Sequence, residues 1–136
     1  MSVSDVAGPY RKAWAARDVD AVVALHTTES VFHVHGFADA ASGVEAVRQL
    51  VDSFFTLVPD LQFDAKRVYV GADHIVFEYE MAGTADGSPF RCDGVDVIAV
   101  SAGLVARKDT YLDLTTLQRQ VGRLPSLIVG ATAASE

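Results

Sequence analysis

Cysteine is almost absent from this chain of 136 residues, and with Cys92 alone no intrachain disulfide can form. That usage fits a reducing, cytoplasmic setting, with Cys92 as a small buried hydrophobe. Basic charge is also scarce: 11 Lys and Arg against 18 Asp and Glu give a net charge of −7, with no basic run. A nucleic-acid backbone or an anionic membrane would be repelled, which excludes both as partners. No stretch reaches the roughly 18 consecutive apolar residues of a membrane span, and the opening Met-Ser-Val-Ser-Asp has neither a basic cap nor an apolar signal core. There is no internal repeat and no linker. A phosphate-cradling glycine loop, a nucleophile elbow and a Cys-His pair are all missing, so the expected chemistry runs without cofactor, metal or covalent intermediate.

What the chain does have is apolar surface. Hydrophobic residues make up 50% of it and charged residues 21%. A single domain over residues 1–136 is expected, with one core and apolar surface to spare for a ligand. The closing Ala-Thr-Ala-Ala-Ser-Glu belongs to a loose tail over 123–136.

The first third has helical spacing at Tyr10, Ala13, Trp14 and Arg17, followed by a short helix through Val19, Val22 and Val23 that Asp18 caps. An alternating run from Val31 to Phe37 predicts a strand. Ser42 and Glu45 form a capping-box pattern ahead of Val44, Val47, Leu50, Val51 and Phe54, and Pro59 ends that helix. Strands are then predicted at Gln62 to Val70, His74 to Gly83, Phe90 to Val100 and Leu104 to Leu112, with a hairpin tip at Asp86-Gly87-Ser88-Pro89, a turn at Ser101-Ala-Gly103 and a short helix from Leu114 to Gly122.

Helices followed by a strand meander imply an α+β domain, a cone-shaped barrel of N-terminal helices packed on a curved mixed or antiparallel sheet. Strand alternation divides the faces. Ile75, Phe77, Tyr79 and Met81 share one side, and Lys108, Thr110 and Leu112 share another. We assign these to the concave face, leaving Arg107, Asp109 and Tyr111 outside.

Three stretches resemble a known superfamily: Ala13-Trp-Ala-Ala-Arg-Asp-Val-Asp-Ala-Val-Val-Ala-Leu25, Ser42-Gly-Val-Glu-Ala-Val, and Gly94-Val-Asp-Val-Ile-Ala-Val with Gly103-Leu-Val and Tyr111-Leu-Asp. With the element order they resemble the nuclear transport factor two-like superfamily, in particular its SnoaL-like polyketide cyclase and ketosteroid isomerase branches. The resemblance implies a cone whose open end holds a small apolar molecule, and a homodimer formed through the convex sheet face. The superfamily contains isomerases, cyclases, dehydratases, epoxide hydrolases and non-catalytic proteins, so fold alone does not name the reaction. Laid over the isomerase pattern, Tyr10 matches the oxyanion tyrosine, while the base falls on Val34 and the oxyanion acid on Ala99. The epoxide hydrolase positions carry Phe77, Tyr79 and Thr110. For the cyclase aspartate, Asp109 and Asp113 are nearest, and both face outward by alternation.

The expected site therefore combines Tyr10, polarising an oxygen, with Asp93 or His33 moving a proton. Trp14, Val34, Phe54, Phe77, Tyr79, Met81, Val97, Ala99, Lys108, Thr110 and Leu112 would surround a small apolar, carbonyl-bearing ligand. Each has a plainer reading. Tyr10, Trp14 and Tyr79 serve equally as core aromatics with a satisfied polar tip. Asp93 could pair with Arg91, Arg107 or Lys108, and the Lys108 stem could carry its amine to the cone's mouth. His33 and His35 point the same way and could bind a metal or line a sheet edge; the only nearby carboxylate in sequence is Asp39, in a loop. Two functions stay open, proton transfer such as isomerisation, cyclisation or dehydration, and ligand binding without chemistry.

Overall fold

The computed structural model describes residues 3–122, so the expected tail over 123–136 lies outside the described residues. Helix α1 (Val3–Ala15) buries Val6, Tyr10, Ala13 and Trp14, which recur every three to four residues along one stripe. Helix α2 (Val19–Ala24) is capped as its sequence implies, the Asp18 carboxylate accepting from the Ala21 N–H at 3.1 Å. Strand β1 (His26–Val34) begins earlier and ends sooner than the alternating run indicated, because His35 and Phe37 lie beyond the strand in a turn.

The capping box at Ser42 does not form. Ser42 belongs to a two-residue strand, β2 (Ala41–Ser42), paired antiparallel with Val31 and Phe32 of β1. The cap of α3 (Val44–Leu57) is Gly43, at φ 89° and ψ 150°, and it offers no side chain to cap with. A side chain is disfavoured in that conformation, so glycine lets the chain leave the sheet edge straight into a helix. Val47, Leu50, Val51 and Phe54 form the buried stripe of α3.

Strands β3 (Gln62–Val70), β4 (His74–Ala85), β5 (Ser88–Ser101) and β6 (Leu104–Leu112) form the meander, and α4 (Leu114–Val121) returns against β5. The six strands are ordered β2-β1-β6-β5-β4-β3. All neighbours are antiparallel except β1 and β6, which run parallel. Among the described residues, four helices pack on this mixed, open sheet, giving the cone-shaped α+β fold. No helix there is long and apolar enough to cross a membrane.

Two turns and one register shift set the pairing. Asp86 and Gly87 sit at φ 51° and 80°, the left-handed pair that a two-residue hairpin needs, and they place Ala85 opposite Ser88. Counting back along both strands puts Phe77 opposite Asp96 and Tyr79 opposite Gly94. Ala102 and Gly103, at φ 52° and 77°, turn β5 into β6 with Val100 opposite Val105, and a one-residue register shift between Val100 and Ala99 then gives the pairs Asp96 with Thr110 and Ile98 with Lys108. Residues opposite each other share a face, so Tyr79, Asp96, Thr110 and Lys108 all project to the concave side.

Candidate functional site

The concave face and α1 enclose a cavity of about 310 Å³. Its walls are mostly apolar: Trp14 from α1, Phe32 from β1, Phe54 from α3, Phe63 from β3, Phe77 and Met81 from β4, and Leu112 from β6. Trp14 is the hub, in edge contact with Tyr10, Phe32, Phe54, Phe55 and Phe63 at centroid distances of 5.2 to 6.5 Å. Its indole N–H is buried with no partner in hydrogen-bonding geometry. It lies near enough to Tyr10 to act against the effect of burial on that phenol.

Tyr79, Asp96, Lys108 and Thr110 gather into one buried polar group in that wall. Asp96 is 6% exposed, and its Oδ1 accepts from the Tyr79 hydroxyl at 2.8 Å and from Thr110 Oγ1 at 2.7 Å. Its Oδ2 faces Lys108 Nζ at 3.5 Å. Lys108 is 4% exposed, with Nζ above the rings of Trp14, Phe32 and Tyr10 at 4.0, 4.7 and 5.0 Å. Burial pulls the pKa of this amine below the ordinary lysine value, and the Asp96 charge only partly offsets the effect. Burial pushes the Tyr79 phenol well up, with the Asp96 charge adding to it, so Tyr79 stays a proton donor.

A second buried chain runs behind the cavity. The Tyr10 hydroxyl is 2.9 Å from His26 Nε2, and His26 Nδ1 is 3.2 Å from Ser30 Oγ. Burial, and then the Lys108 charge, push His26 down to about 3, so its ring is neutral around pH 7 and can accept at one nitrogen and donate at the other. Burial raises Tyr10 far above the usual phenol range.

Of the residues expected at the site, Tyr10, Trp14, Phe54, Phe77, Tyr79, Met81, Lys108, Thr110 and Leu112 line this cavity. Five others are corrected. Asp93, Val97 and Ala99 are exposed on the outer face, and Asp93 pairs there with Lys66 at 2.6 Å. Strand β5 turns Cys92, Gly94, Asp96 and Ile98 inward, the opposite parity to the one expected. Val34 is fully buried in the core and does not reach the cavity. His33 is on the outer face of β1, and its ring lies 3.8 Å from that of His35. Asp109 and Asp113, the cyclase aspartates implied by resemblance, are also outside the cavity. Asp109 binds Arg107 and His35, and Asp113 caps α4 by accepting from Thr116.

Asp96 is not among the residues expected at the site, although the sequence carries its signal. Any even-length loop centred on Asp86-Gly87 pairs Phe77 with Asp96, so taking Phe77 as inward required Asp96 to be inward as well. The structure also supplies a third potential ligand beside His33 and His35. The parallel β1–β6 register places Asp109 next to them, with ligand atoms within 4.8 Å of one another. A cation there would compete with Arg107, which donates to both Asp109 oxygens at 2.8 and 3.0 Å. Cys92 is buried as expected, its thiol pushed up to about 11 chiefly by burial and thus protonated at neutral pH.

The fold thus brings a buried carboxylate and a buried amine together in the wall of a mostly apolar cavity. Residues 8–108 match the SnoaL-like domain, and the chain belongs to that family. No curated protein matches its sequence. Solved structures share the fold. A protein of ketosteroid isomerase-like fold from Catenulispora acidiphila, in complex with trimethylamine, is 17% identical with a TM-score of 0.79, over 88% of this chain and 93% of that one. A candidate SnoaL-like polyketide cyclase from Jannaschia sp. CCS1 is 19% identical with a TM-score of 0.78, over 90% and 93%. An LEH-like epoxide hydrolase from M. tuberculosis is 16% identical with a TM-score of 0.74, over 86% of each chain.

Proposed function

We propose that the cavity binds a small apolar molecule bearing a carbonyl group and that Asp96 moves a proton on it, in an isomerisation, cyclisation or dehydration that needs no cofactor. The observation carrying this reading is the Asp96 carboxylate, set in an otherwise aromatic wall with Oδ1 held by Tyr79 and Thr110 and Oδ2 turned to Lys108. Two hydroxyl donors fix the carboxylate's orientation, and the Lys108 ammonium is placed to stabilise negative charge as it develops on a ligand oxygen. The apolar walls exclude water and strengthen both interactions. Asp96 takes the part that the sequence reading gave to Asp93 or His33. Tyr10, with its hydroxyl on His26, orders the wall.

The test is deuterium exchange at the carbon beside the carbonyl, followed by NMR across a panel of cyclic ketones. Asp96→Asn should slow exchange by about 10²–10⁴-fold, the usual worth of a positioned acid–base group. Asp93→Asn should leave it unchanged. Equal exchange by Asp96→Asn and the parent chain would refute the role. Ligand retained in native mass spectrometry with no exchange in any variant would favour the binding module without chemistry. The outer sheet face exposes Val97 and Tyr111 at 41% and 46%, which supports a homodimer formed there, and light scattering would measure it.

A further inference from the structure

We propose that Lys108 is a nucleophile, forming an imine with the carbonyl carbon of the bound ligand. This inference rests on the carbonyl-binding reading above. Three observations carry it. The Lys108 side chain is 5% exposed, yet it lines the cavity, so the space its amine faces is ligand space. Around Nζ stand three aromatic rings and one carboxylate, the latter at 3.5 Å, too few acceptors to satisfy the three protons of an ammonium. The ring faces and the carboxylate attract an ammonium, while burial lowers the pKa of Lys108 against the Asp96 charge and so eases loss of the proton that the amine must shed to attack. The partner needed to shuttle protons is already in place, since Asp96 Oδ2 stands 3.5 Å from Nζ with a lone pair to offer.

The step balances within the pair. Lys108 gives one ammonium proton to Asp96, and the freed lone pair attacks the carbonyl carbon. A C–N bond forms and the C=O π pair moves to oxygen. Asp96 returns its proton to that oxygen and takes one from the new N–H₂⁺, giving a neutral carbinolamine. Asp96 then protonates the hydroxyl, which leaves as water while the nitrogen lone pair forms C=N. The product is a protonated imine beside an Asp96 carboxylate, so one positive and one negative charge stand in the cavity before and after. The iminium would acidify the neighbouring C–H bond, which Asp96 is positioned to deprotonate. Without a nucleophile elbow or a Cys-His pair the sequence predicts no covalent intermediate; this amine offers one.

The chain contains three lysines, so the experiment has internal controls. Lys12 is exposed at the cavity rim, and Lys66 is exposed and held protonated by Asp93. The parent chain would be incubated with cyclohexanone and sodium cyanoborohydride near neutral pH, the hydride donor converting any iminium to a secondary amine. Peptide mass spectrometry then locates the N-cyclohexyl group. Binding is read separately from the emission of Trp14, the chain's single tryptophan and a cavity wall. Adduct at Lys108 severalfold above Lys12 and Lys66, and lost in Lys108→Arg, is the expected result. A Trp14 response with no excess adduct at Lys108 would overturn the imine and leave carbonyl binding standing. Neither response nor adduct would overturn both. The mapping on the parent chain decides the question even where Lys108→Arg fails to fold.

Discussion

Replacing Asp96 with asparagine separates the ion pair from the hydrogen bonds around it. Asparagine has the same shape, so its amide oxygen can take the place of Oδ1 and keep both hydroxyl donors, at 2.8 and 2.7 Å. Its NH₂ then faces the Lys108 ammonium across the 3.5 Å where Oδ2 stood, donor against donor. At that separation an effective dielectric of about 20 gives the lost attraction as about 4–5 kcal/mol. Lysine can escape by shedding its proton, and doing so at neutral pH costs an ordinary lysine about 4–5 kcal/mol, which caps the loss. The expected destabilisation is therefore about 3–5 kcal/mol, the range for a buried pair deprived of one partner. Urea unfolding measures it.

The pH dependence has a definite sign. Lys108 has a lowered pKa in the folded chain, so the unfolded state binds more protons and this group favours folding more as pH rises towards the ordinary lysine value. Without Asp96, which raises that pKa, the folded value falls further and the gain starts at lower pH. The deficit of Asp96→Asn should narrow as pH is raised from about 6 to about 9. His26, already down to about 3, does not titrate in this window, and the raised phenols of Tyr10 and Tyr79 stay protonated through it. Adding Lys108→Met to Asp96→Asn should restore most of the stability, because the pair is then removed as a unit. Parent-like stability of Asp96→Asn, or a deficit unchanged with pH, would refute the reasoning.

Gly94→Ala would put a Cβ 2.7 Å from Tyr79 Cε1 and 2.8 Å from Leu112 Cδ2, tilting the phenol off Asp96. A loss of about 1–3 kcal/mol is expected by chemical denaturation, with weaker ketone binding by Trp14 emission. Because His26 falls from the ordinary value to about 3 on folding, stability should drop as pH falls from about 6.5 towards 3, by up to about 4–5 kcal/mol. His26→Gln should flatten that limb in melts run across the range. Asp93→Asn breaks only the exposed pair with Lys66, so ligand binding and the melting curve should match those of the parent chain.

Local patterning made most elements legible. The stripes of α1 and α3, the Asp18 cap, and the bounds of β3 and β6 follow from spacings of three to four or of two within a few residues. The same alternation placed Phe77, Tyr79, Met81, Lys108 and Thr110 on one face. It failed on β5, where apolar Val95, Val97 and Ala99 alternate with inward Gly94, Asp96 and Ile98, and hydrophobicity favours the wrong set. Both sets of β5 are apolar enough to be buried, so only the pairing with β4 and β6 chooses between them.

By itself the sequence determined an acidic α+β domain with a largely apolar interior, because helix and strand periods are written in neighbouring residues. Tertiary structure decided which polar groups that interior holds. Asp96 meets Lys108, Tyr79 and Thr110, and Asp109 meets His33 and His35, only across strand pairs whose partners lie 12 to 76 positions apart. Register decides such meetings, and a shift of a single residue turns each strand's side chains to the other face. In this protein the left-handed turns at Asp86-Gly87 and Ala102-Gly103, together with the one-residue shift in the β5–β6 pairing between Ala99 and Val100, hold that register and so put a carboxylate and an amine into one apolar cavity.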